Sequence, residues 1–192
     1  MSRVITFSRH FPGYHPKAGQ PTHFVEKILN CLDTKVFTME QLMATPLIDH
    51  RLVDMEIYDS CVPKSHTVRA GHRWKSGDMA SFRVWGNDVN PKSGRSGPYH
   101  SKQITIAPDV EIVKVWDIEI KRGTKTGGCI YMDGKLFAAI DLTYPNTDNH
   151  HWDNVKRLAA NDGLTGMDLL KWFKFPSPMQ GQIICWDSTI EY

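Results

Sequence analysis

The stretch VPKSHTVRAGHRWKSGD (Val62–Asp78) places six basic or imidazole side chains around one short strand-like segment. HTVRA (His66–Ala70) alternates in the manner of a β-strand, and SGD (Ser76–Asp78) is typical of a tight turn. A surface strand can carry such charges without any function, whereas a site that binds or cleaves an anionic ligand requires them. The residues alone leave both interpretations open.

Positive charge is concentrated around this stretch. Between Lys64 and Lys102 the chain has eight Lys or Arg and two Asp, a local balance of +6, within a net charge of +2 for the whole chain. Such a field attracts polyanions, of which nucleic acid is the commonest. A solvated, loop-rich face would give the same count.

The composition indicates an ordinary globular protein. The chain has 192 residues, of which 41% are hydrophobic and 23% are charged, enough for a single domain with its own core. No apolar run is long enough for a signal peptide or a membrane span. Four scattered cysteines without a CxxC pair indicate reduced thiols. We therefore expect a cytoplasmic protein that does not associate with membranes.

N-terminal to the basic stretch, the pattern predicts a strand, a loop and a helix. VITF (Val4–Phe7) is β-rich, and the proline-rich segment Ser8–Thr22 is a loop. Phe24, Ile28 and Leu32 then share one face of a helix. A second short helix is predicted at 38–44.

From the basic stretch onward, alternation of apolar and polar residues with a period of two predicts strands. The segments are HTVRA, MASFRVW, SKQITIA and VEIVKVWDIEI, followed by CIYMDGKLFAAI, a hairpin with Asp-Gly at its turn. Two helices follow, the first capped by Asp148 and ended by Gly163, the second started by Thr165. The closing strand is GQIICWDSTIEY (Gly181–Tyr192). This order predicts an α+β fold with a six-stranded, mainly antiparallel, barrel-like sheet and helices packed outside it.

Four segments in order resemble the ASCH domain family. They are KSHTVR (Lys64–Arg69), SGD (Ser76–Asp78), AANDGLTGMDLLKWF and the strand QIICWD. The resemblance implies a PUA-like fold, a small antiparallel β-barrel with peripheral helices, in a single domain over residues 1–192. It also implies insertions at about 33–60, 87–101 and 121–140.

The family contains acetylcytidine amidohydrolases, a ribonuclease and domains that bind modified RNA. By position, the residues of the amidohydrolases correspond here to Lys64, Thr67 and Asp162, which the resemblance implies are catalytic. Asp162 departs from the family pattern, since the family has Glu and the aspartate is one methylene shorter.

The residues themselves allow this chemistry. Lys64 follows Pro63 in the loop before the strand and can curl back toward Thr67. A lysine desolvated beside a second cation, here Arg69, has a lowered pKa and can activate a hydroxyl group. Asp162 would orient the lysine or shuttle the proton of the leaving group. Alternatively, Lys64 and Arg69 are solvated charges at a sheet edge, and Asp162 only ends a helix.

Six residues from the first loop and the basic stretch are predicted to bind the ligand. They are Arg9, His10, Arg69, Arg73, Trp74 and Lys75. Phe11, Trp74, Trp85 and Tyr99 are candidates to stack on a base. We expect Trp85 and Trp116 in the core and Trp74 exposed. No metal or cofactor is predicted, since no zinc spacing, P-loop or dinucleotide fingerprint is present.

We therefore expect RNA or a modified nucleoside to bind in a basic cleft between the loop Ser8–Thr22, the strand Lys64–Arg69 and Asp162. One alternative is a hydrolase, either an acetylcytidine amidohydrolase or a metal-independent ribonuclease. Another is a protein-interaction module whose basic loop, with Lys92 and Arg95, recognises an acidic partner. The sequence predicts neither the substrate nor the oligomeric state.

Overall fold

The computed structural model describes residues 2–35, 37, 41, 52–143 and 150–192. Within these ranges the chain forms nine strands and four helices. In chain order they are β1 (Arg3–Phe7), α1 (Phe24–Lys35), α2 (Met55–Ser60), β2 (His66–Ala70), β3 (Met79–Trp85), β4 (Gln103–Thr105), β5 (Val110–Glu111), β6 (Lys114–Arg122), β7 (Gly127–Met132), β8 (Lys135–Asp141), α3 (His150–Asn161), α4 (Gly166–Trp172) and β9 (Met179–Cys185). The predicted helix at 38–44 and the predicted cap Asp148 lie outside the described residues.

The basic stretch enters a five-stranded antiparallel sheet through β2. This strand pairs with the last strand, β9, so that His66 lies opposite Cys185. The sheet continues in the order β2-β9-β6-β7-β8. β7 and β8 form the predicted hairpin, and its turn residues Asp133 and Gly134 have positive φ angles of 48° and 76°, as such tight turns require.

The other four strands form a second sheet around β3. β1 runs parallel to β3, with Ile5 opposite Phe82. β4 and β5 both pair with β3 in the antiparallel sense. Of the strand pairs in the described ranges, only β1–β3 is parallel.

The chain changes sheet within the segment predicted as one strand. Val110–Glu111 pairs with β3 in the smaller sheet, whereas β6 pairs with β9 in the larger sheet. The buried residue Ile112 lies between the two. The predicted α+β class is confirmed. The predicted single sheet of six strands is wrong, because nine strands divide between two sheets, and no pairing within the described part of the chain closes a barrel.

Side chains from both sheets pack together in the core. Phe7 of β1 and Phe82 of β3 meet edge to face, with ring centroids 5.2 Å apart. Trp186, which directly follows β9, lies 4.7 Å from Phe82 by the same measure. Aromatic pairs in this geometry stabilise a core beyond the area that they bury. Phe7 therefore helps to join the smaller sheet to the end of the larger one.

The tryptophans are distributed differently from the expectation. Trp152 and Trp186 are buried, whereas Trp74, Trp85 and Trp116 are all half-buried. The prediction of Trp85 in the core was wrong, because alternation along a strand does not show which face a second element covers. Trp116 is only partly buried against the core, and Trp74, which was predicted to be exposed, packs against the core in the same way.

The C-terminal helices follow the predicted signals. Gly163 ends α3 in the left-handed conformation, with φ 72°. Thr165 caps α4, and its side chain accepts a hydrogen bond from the Asp168 N–H. α3 packs on the larger sheet, where Asn154 Nδ2 donates to the Phe137 carbonyl at 2.7 Å. The tight turn between α3 and α4 thus lies next to the loop that enters β2.

Candidate functional site

Backbone hydrogen bonds to two helices fix the position of Lys64. The Lys64 N–H donates to the Lys27 carbonyl of α1 at 2.9 Å, and the Ser65 N–H donates to the Asn161 carbonyl of α3 at 2.8 Å. The Lys64 side chain is 0% exposed. A buried ammonium group costs much free energy unless an acceptor or a charge compensates it.

Asp162 compensates the charge of Lys64. The Lys64 Nζ donates to Asp162 Oδ1 and to the Asp162 carbonyl, each at 2.6 Å. Asp162 itself is only 4% exposed. Gly163 permits this close approach, because a Cβ atom there would lie 3.3 Å from Lys64 Cβ and 3.1 Å from Lys27 Cδ. The shorter side chain of aspartate therefore does reach the lysine.

Burial and neighbouring charges set the protonation of this pair. Burial lowers the pKa of Lys64 to about 8; Asp162 opposes this effect, and the cations Arg69 and Lys27 add to it. Burial alone would raise the pKa of Asp162, but the Lys64 ammonium holds that pKa below its ordinary value. At neutral pH the pair is mostly charged, with a small fraction of neutral amine.

Arg69 is a second cation in the interior. Its Nη2 donates to the Thr6 carbonyl at 2.6 Å, and its buried Nε has no hydrogen-bond partner among the described residues. Burial lowers the pKa of Arg69, and Asp162 opposes this effect. The Phe7 ring centroid lies 5.4 Å from Arg69 Cζ and 5.9 Å from Lys64 Nζ. One aromatic ring thus contacts both buried cations at cation–π distances.

Thr67 lies on β2 between the two cations along the chain. It is buried, 6% exposed, and lies opposite Ile184 of β9. No hydrogen bond joins its hydroxyl group to Lys64 or Asp162, whose polar contacts are with each other. The structure therefore brings two of the three predicted catalytic residues into contact and leaves Thr67 outside that contact.

His66, which the sequence analysis did not single out, extends the pair. Its Nδ1 lies 3.6 Å from Asp162 Oδ1, slightly too far for a hydrogen bond. Its Nε2 lies 2.5 Å from the Tyr192 hydroxyl, which also accepts from Asn161 Nδ2 at 2.9 Å. Burial lowers the pKa of His66, although Asp162 opposes this effect, so the imidazole is neutral at pH 7.

A cavity of about 350 Å³ opens beside the ion pair. Its walls come from the loop between β1 and α1, from α1, and from the turn between α3 and α4. Lys27 and Gly163 line this cavity, and a Cβ atom at Gly163 would meet the side chains of both Lys27 and Lys64, so the three residues are adjacent. The predicted cleft therefore has its wall in the loop Ser8–Thr22, but among the described residues β2 contributes none of the lining.

Lys27 is a cation of this cavity that sequence reasoning missed. Its Nζ donates to the carbonyls of Gly163 at 2.7 Å and Thr22 at 3.1 Å, and it forms no ion pair with a carboxylate in the described ranges. Burial lowers the pKa of Lys27, and nearby acidic groups partly oppose this shift. Lys17, in contrast, is paired with Asp168 at 2.7 Å. Helical periodicity alone could not show that Lys27 meets a cavity.

The other predicted binding residues lie elsewhere. Arg9 and His10 line a neighbouring cavity of about 120 Å³. Arg73 and Trp74 line a third cavity of about 540 Å³, which shares no lining residue with the first two. Lys75 is exposed. The structure thus does not bring the predicted catalytic and binding residues into one cleft.

Comparisons with protein-family profiles, curated proteins and solved structures found no match to this chain. The ASCH resemblance and the cytoplasmic location therefore remain expectations from the sequence. Within the described residues, no helix is long and apolar enough to cross a membrane. No cluster of three or more His, Cys, Asp or Glu side chains there could hold a metal ion.

The Lys64–Asp162 contact predicts a specific pattern of stabilities. Lys64→Met should lower the free energy of unfolding by about 3–5 kcal/mol, because it leaves a buried carboxylate without its partner. Adding Asp162→Asn removes that charge and should recover most of the loss. Lys156→Met, at an exposed position of α3, should change stability by less than about 0.5 kcal/mol. Denaturant unfolding of the wild type, Lys64→Met, Asp162→Asn, the double variant and the Lys156→Met control measures the coupling, and strictly additive losses would contradict a direct ion pair.

Lys64 also makes stability depend on pH above neutrality. Its pKa is about 8 in the folded protein against an ordinary value of 10.5. Between these two values the unfolded chain binds more protons than the folded chain, so stability rises with pH. This contribution should reach about 3 kcal/mol between pH 8 and pH 10.5. The measurement is the free energy of unfolding against pH for the wild type and for the Lys64→Met/Asp162→Asn variant. Parallel curves for the two proteins would rule out this contribution.

Proposed function

We propose that this protein binds a modified nucleoside, or RNA that carries one, in the cavity beside Lys64 and Asp162. The observation that carries the proposal is the Lys27 ammonium, which lines a cavity of about 350 Å³ without a described carboxylate partner. This volume is within the range of small-molecule sites. A phosphate or a base carbonyl would complete the coordination of Lys27.

The cations around the cavity support an anionic or electron-rich ligand. Lys17 is neutralised by Asp168 and Lys64 by Asp162, so the charges of Lys27 and Arg69 are left in excess. Both of these cations are hydrogen-bonded to backbone carbonyls rather than to carboxylates. Arg69 and Lys27 each lower the pKa of Lys64, so an anion bound nearby would relieve the repulsion that both cations exert on the Lys64 ammonium.

His23 supports the same site through its backbone. It has a positive φ of 55°, which is uncommon for a residue other than glycine. It lines both the larger cavity and the neighbouring one that contains Arg9 and His10. Strained residues persist where the surrounding structure holds them and are concentrated at ligand sites. Its imidazole could stack on a base or donate a hydrogen bond to it.

We also propose that the fold is PUA-like, as the ASCH resemblance implies. Two features support this proposal. The first is the order of the elements around Lys64: β2 comes first, then the turn that follows α3, then β9, as in the family motifs. The second is that the chain links the two sheets at Ile112. The implied insertion at 121–140 includes the β7–β8 hairpin, which extends the larger sheet beyond β6.

Lys27→Met should weaken nucleoside binding about tenfold to a hundredfold, since a hydrogen bond to a charged group contributes about 1.5–3 kcal/mol. The measurement is isothermal titration of purified protein with N4-acetylcytidine and with cytidine. Further ligands are identified by mass spectrometry of the nucleosides that the purified protein retains from an RNA digest.

Lys156→Met is the matched control, because Lys156 is exposed and its ion pair in the described part of the chain is with Asp153 on its own helix. Thermal unfolding checks that Lys27→Met is folded. Retention of no nucleoside at all, or an unchanged affinity in the folded Lys27→Met variant, would overturn the proposed site.

A hydrolase is the second candidate, and one observation favours it. Lys64 has a pKa of about 8 and contacts Asp162 at 2.6 Å, and a base whose pKa lies near the working pH is effective. A substrate in the cavity would, however, have to pass Lys27 and Gly163 to reach the Lys64 amine. Binding is therefore the better-supported function.

Kinetics of folded variants separates the hydrolase alternatives. If Lys64 activates Thr67 in an amidohydrolase, Lys64→Met should remove nearly as much activity as the double variant with Thr67→Ala, because the two act as a unit. In a ribonuclease the 2′-hydroxyl of RNA is the nucleophile, so Thr67→Ala should retain activity and Lys64→Met should not. Binding without turnover of acetylcytidine or RNA would exclude both.

A further inference from the structure

The loop between β3 and β4, residues 86–102, displays an aromatic pair to solvent. The rings of Trp85 and Tyr99 lie 5.3 Å apart between centroids. Tyr99 is 87% exposed, whereas Trp85 is half-buried at the end of β3. The tryptophan therefore supports one side of the tyrosine ring, and most of the tyrosine surface remains open.

The backbone holds Tyr99 in this exposed position under strain. Its φ is 65°, a left-handed conformation that is unfavourable for a residue with a bulky side chain. Side-chain and backbone hydrogen bonds organise the loop around it: Asn90 Nδ2 donates to the His100 carbonyl at 3.0 Å, and the Asn90 N–H donates to the Arg95 carbonyl at 2.8 Å. Strain maintained in this way is characteristic of functional positions.

The same loop carries more positive than negative charge. Residues 86–102 include Lys92, Arg95 and Lys102, all exposed, against one acidic residue, the exposed Asp88. Cations alone would suit an acidic protein. A ring exposed among cations suits single-stranded nucleic acid better, because bases stack on aromatic side chains while phosphates contact the cations.

We propose that this loop is a docking site for single-stranded nucleic acid. A base stacks on the open face of Tyr99, and the neighbouring phosphates contact Lys92, Arg95 and Lys102. The loop shares no lining residue with the cavity of about 350 Å³, so this site is additional to the proposed nucleoside site. Together, the two would allow an RNA strand to be held while one nucleoside is bound separately.

The test is fluorescence anisotropy with a labelled twelve-nucleotide oligouridine at low salt and without free nucleoside. Tyr99→Ala should weaken binding about fivefold to a hundredfold, the usual effect of removing one stacking side chain, and Tyr99→Phe should retain wild-type affinity. Val89→Ala, which truncates an exposed side chain in the same loop, is the control and should bind like the wild type.

Tyr99→Gly distinguishes loss of stacking from loss of structure. Glycine adopts a positive φ without strain, so this variant should unfold at the same or a higher temperature and yet bind as weakly as Tyr99→Ala. Lys92→Ala and Arg95→Ala should each reduce the slope of log affinity against log salt by about 0.7.

Three results would overturn the proposal. They are unchanged affinity in Tyr99→Ala, no oligouridine binding at low salt, and polyglutamate binding as tight as that of oligouridine, which would indicate an acidic protein partner instead. Equal, Tyr99-dependent binding of oligodeoxyuridine would support it and extend it to DNA. The oligouridine assay contains no free nucleoside. The result for the loop would therefore hold even if the cavity bound no nucleoside.

Discussion

The burial of one ammonium group, that of Lys64, is the constraint on which the surrounding structure depends. An ammonium group in this position requires a carboxylate at hydrogen-bond distance, and Asp162 provides it at 2.6 Å. That distance requires the chain to turn immediately after Asp162 without a Cβ atom, which Gly163 allows. It also requires the loop before β2 to lie against α1 and α3, where the backbone hydrogen bonds of Lys64 and Ser65 hold it.

The cavity is a consequence of the same arrangement. The turn that brings Asp162 to Lys64 also places the Gly163 carbonyl 2.7 Å from Lys27 Nζ, and this lysine then forms part of the cavity wall. Carbonyl dipoles balance the charges of Lys27 and Arg69. Lys27 also lies near the ring of Phe24, and Arg69 lies near the ring of Phe7. Such compensation is weaker than a carboxylate would provide. The cavity wall therefore carries the positive charge of Lys27 beside an ion pair that is already satisfied.

Local signals in the sequence predicted the parts of the fold that local physics decides. Alternation identified β2 and β3, Asp-Gly identified the β7–β8 turn, and Gly163 and Thr165 identified the end of α3 and the start of α4. The division of the segment 110–120 between two sheets could not be predicted, because alternation is the same whichever sheet a strand joins. The parallel pairing of β1 with β3 likewise depends on contacts between residues far apart in the chain.

The candidate site was predictable only where a motif brought its members together. Lys64 and Asp162 were identified through the family resemblance, and the structure places them in contact. Lys27 and His66 acquire their positions from tertiary packing, and the strained conformation of Tyr99 depends on hydrogen bonds across its loop. Arg73 and Trp74 were grouped with Arg69 because they are close in sequence. β2 ends at Ala70 and the chain bends at Gly71, which has a φ of 81°, so Arg73 and Trp74 line a different cavity.

The protonation of Lys64 is the property that tests this account most directly. The protein is prepared with ¹³C-labelled lysine, the Lys64 Cε resonance is assigned by comparison with Lys64→Met, and its chemical shift is followed from pH 6 to pH 11. A fully buried ammonium paired with Asp162 should titrate near pH 8, as its pKa of about 8 requires. Titration at or above the ordinary value of 10.5 would show that burial does not lower the pKa of this amine and would contradict the desolvated ion pair from which the cavity and its charge follow.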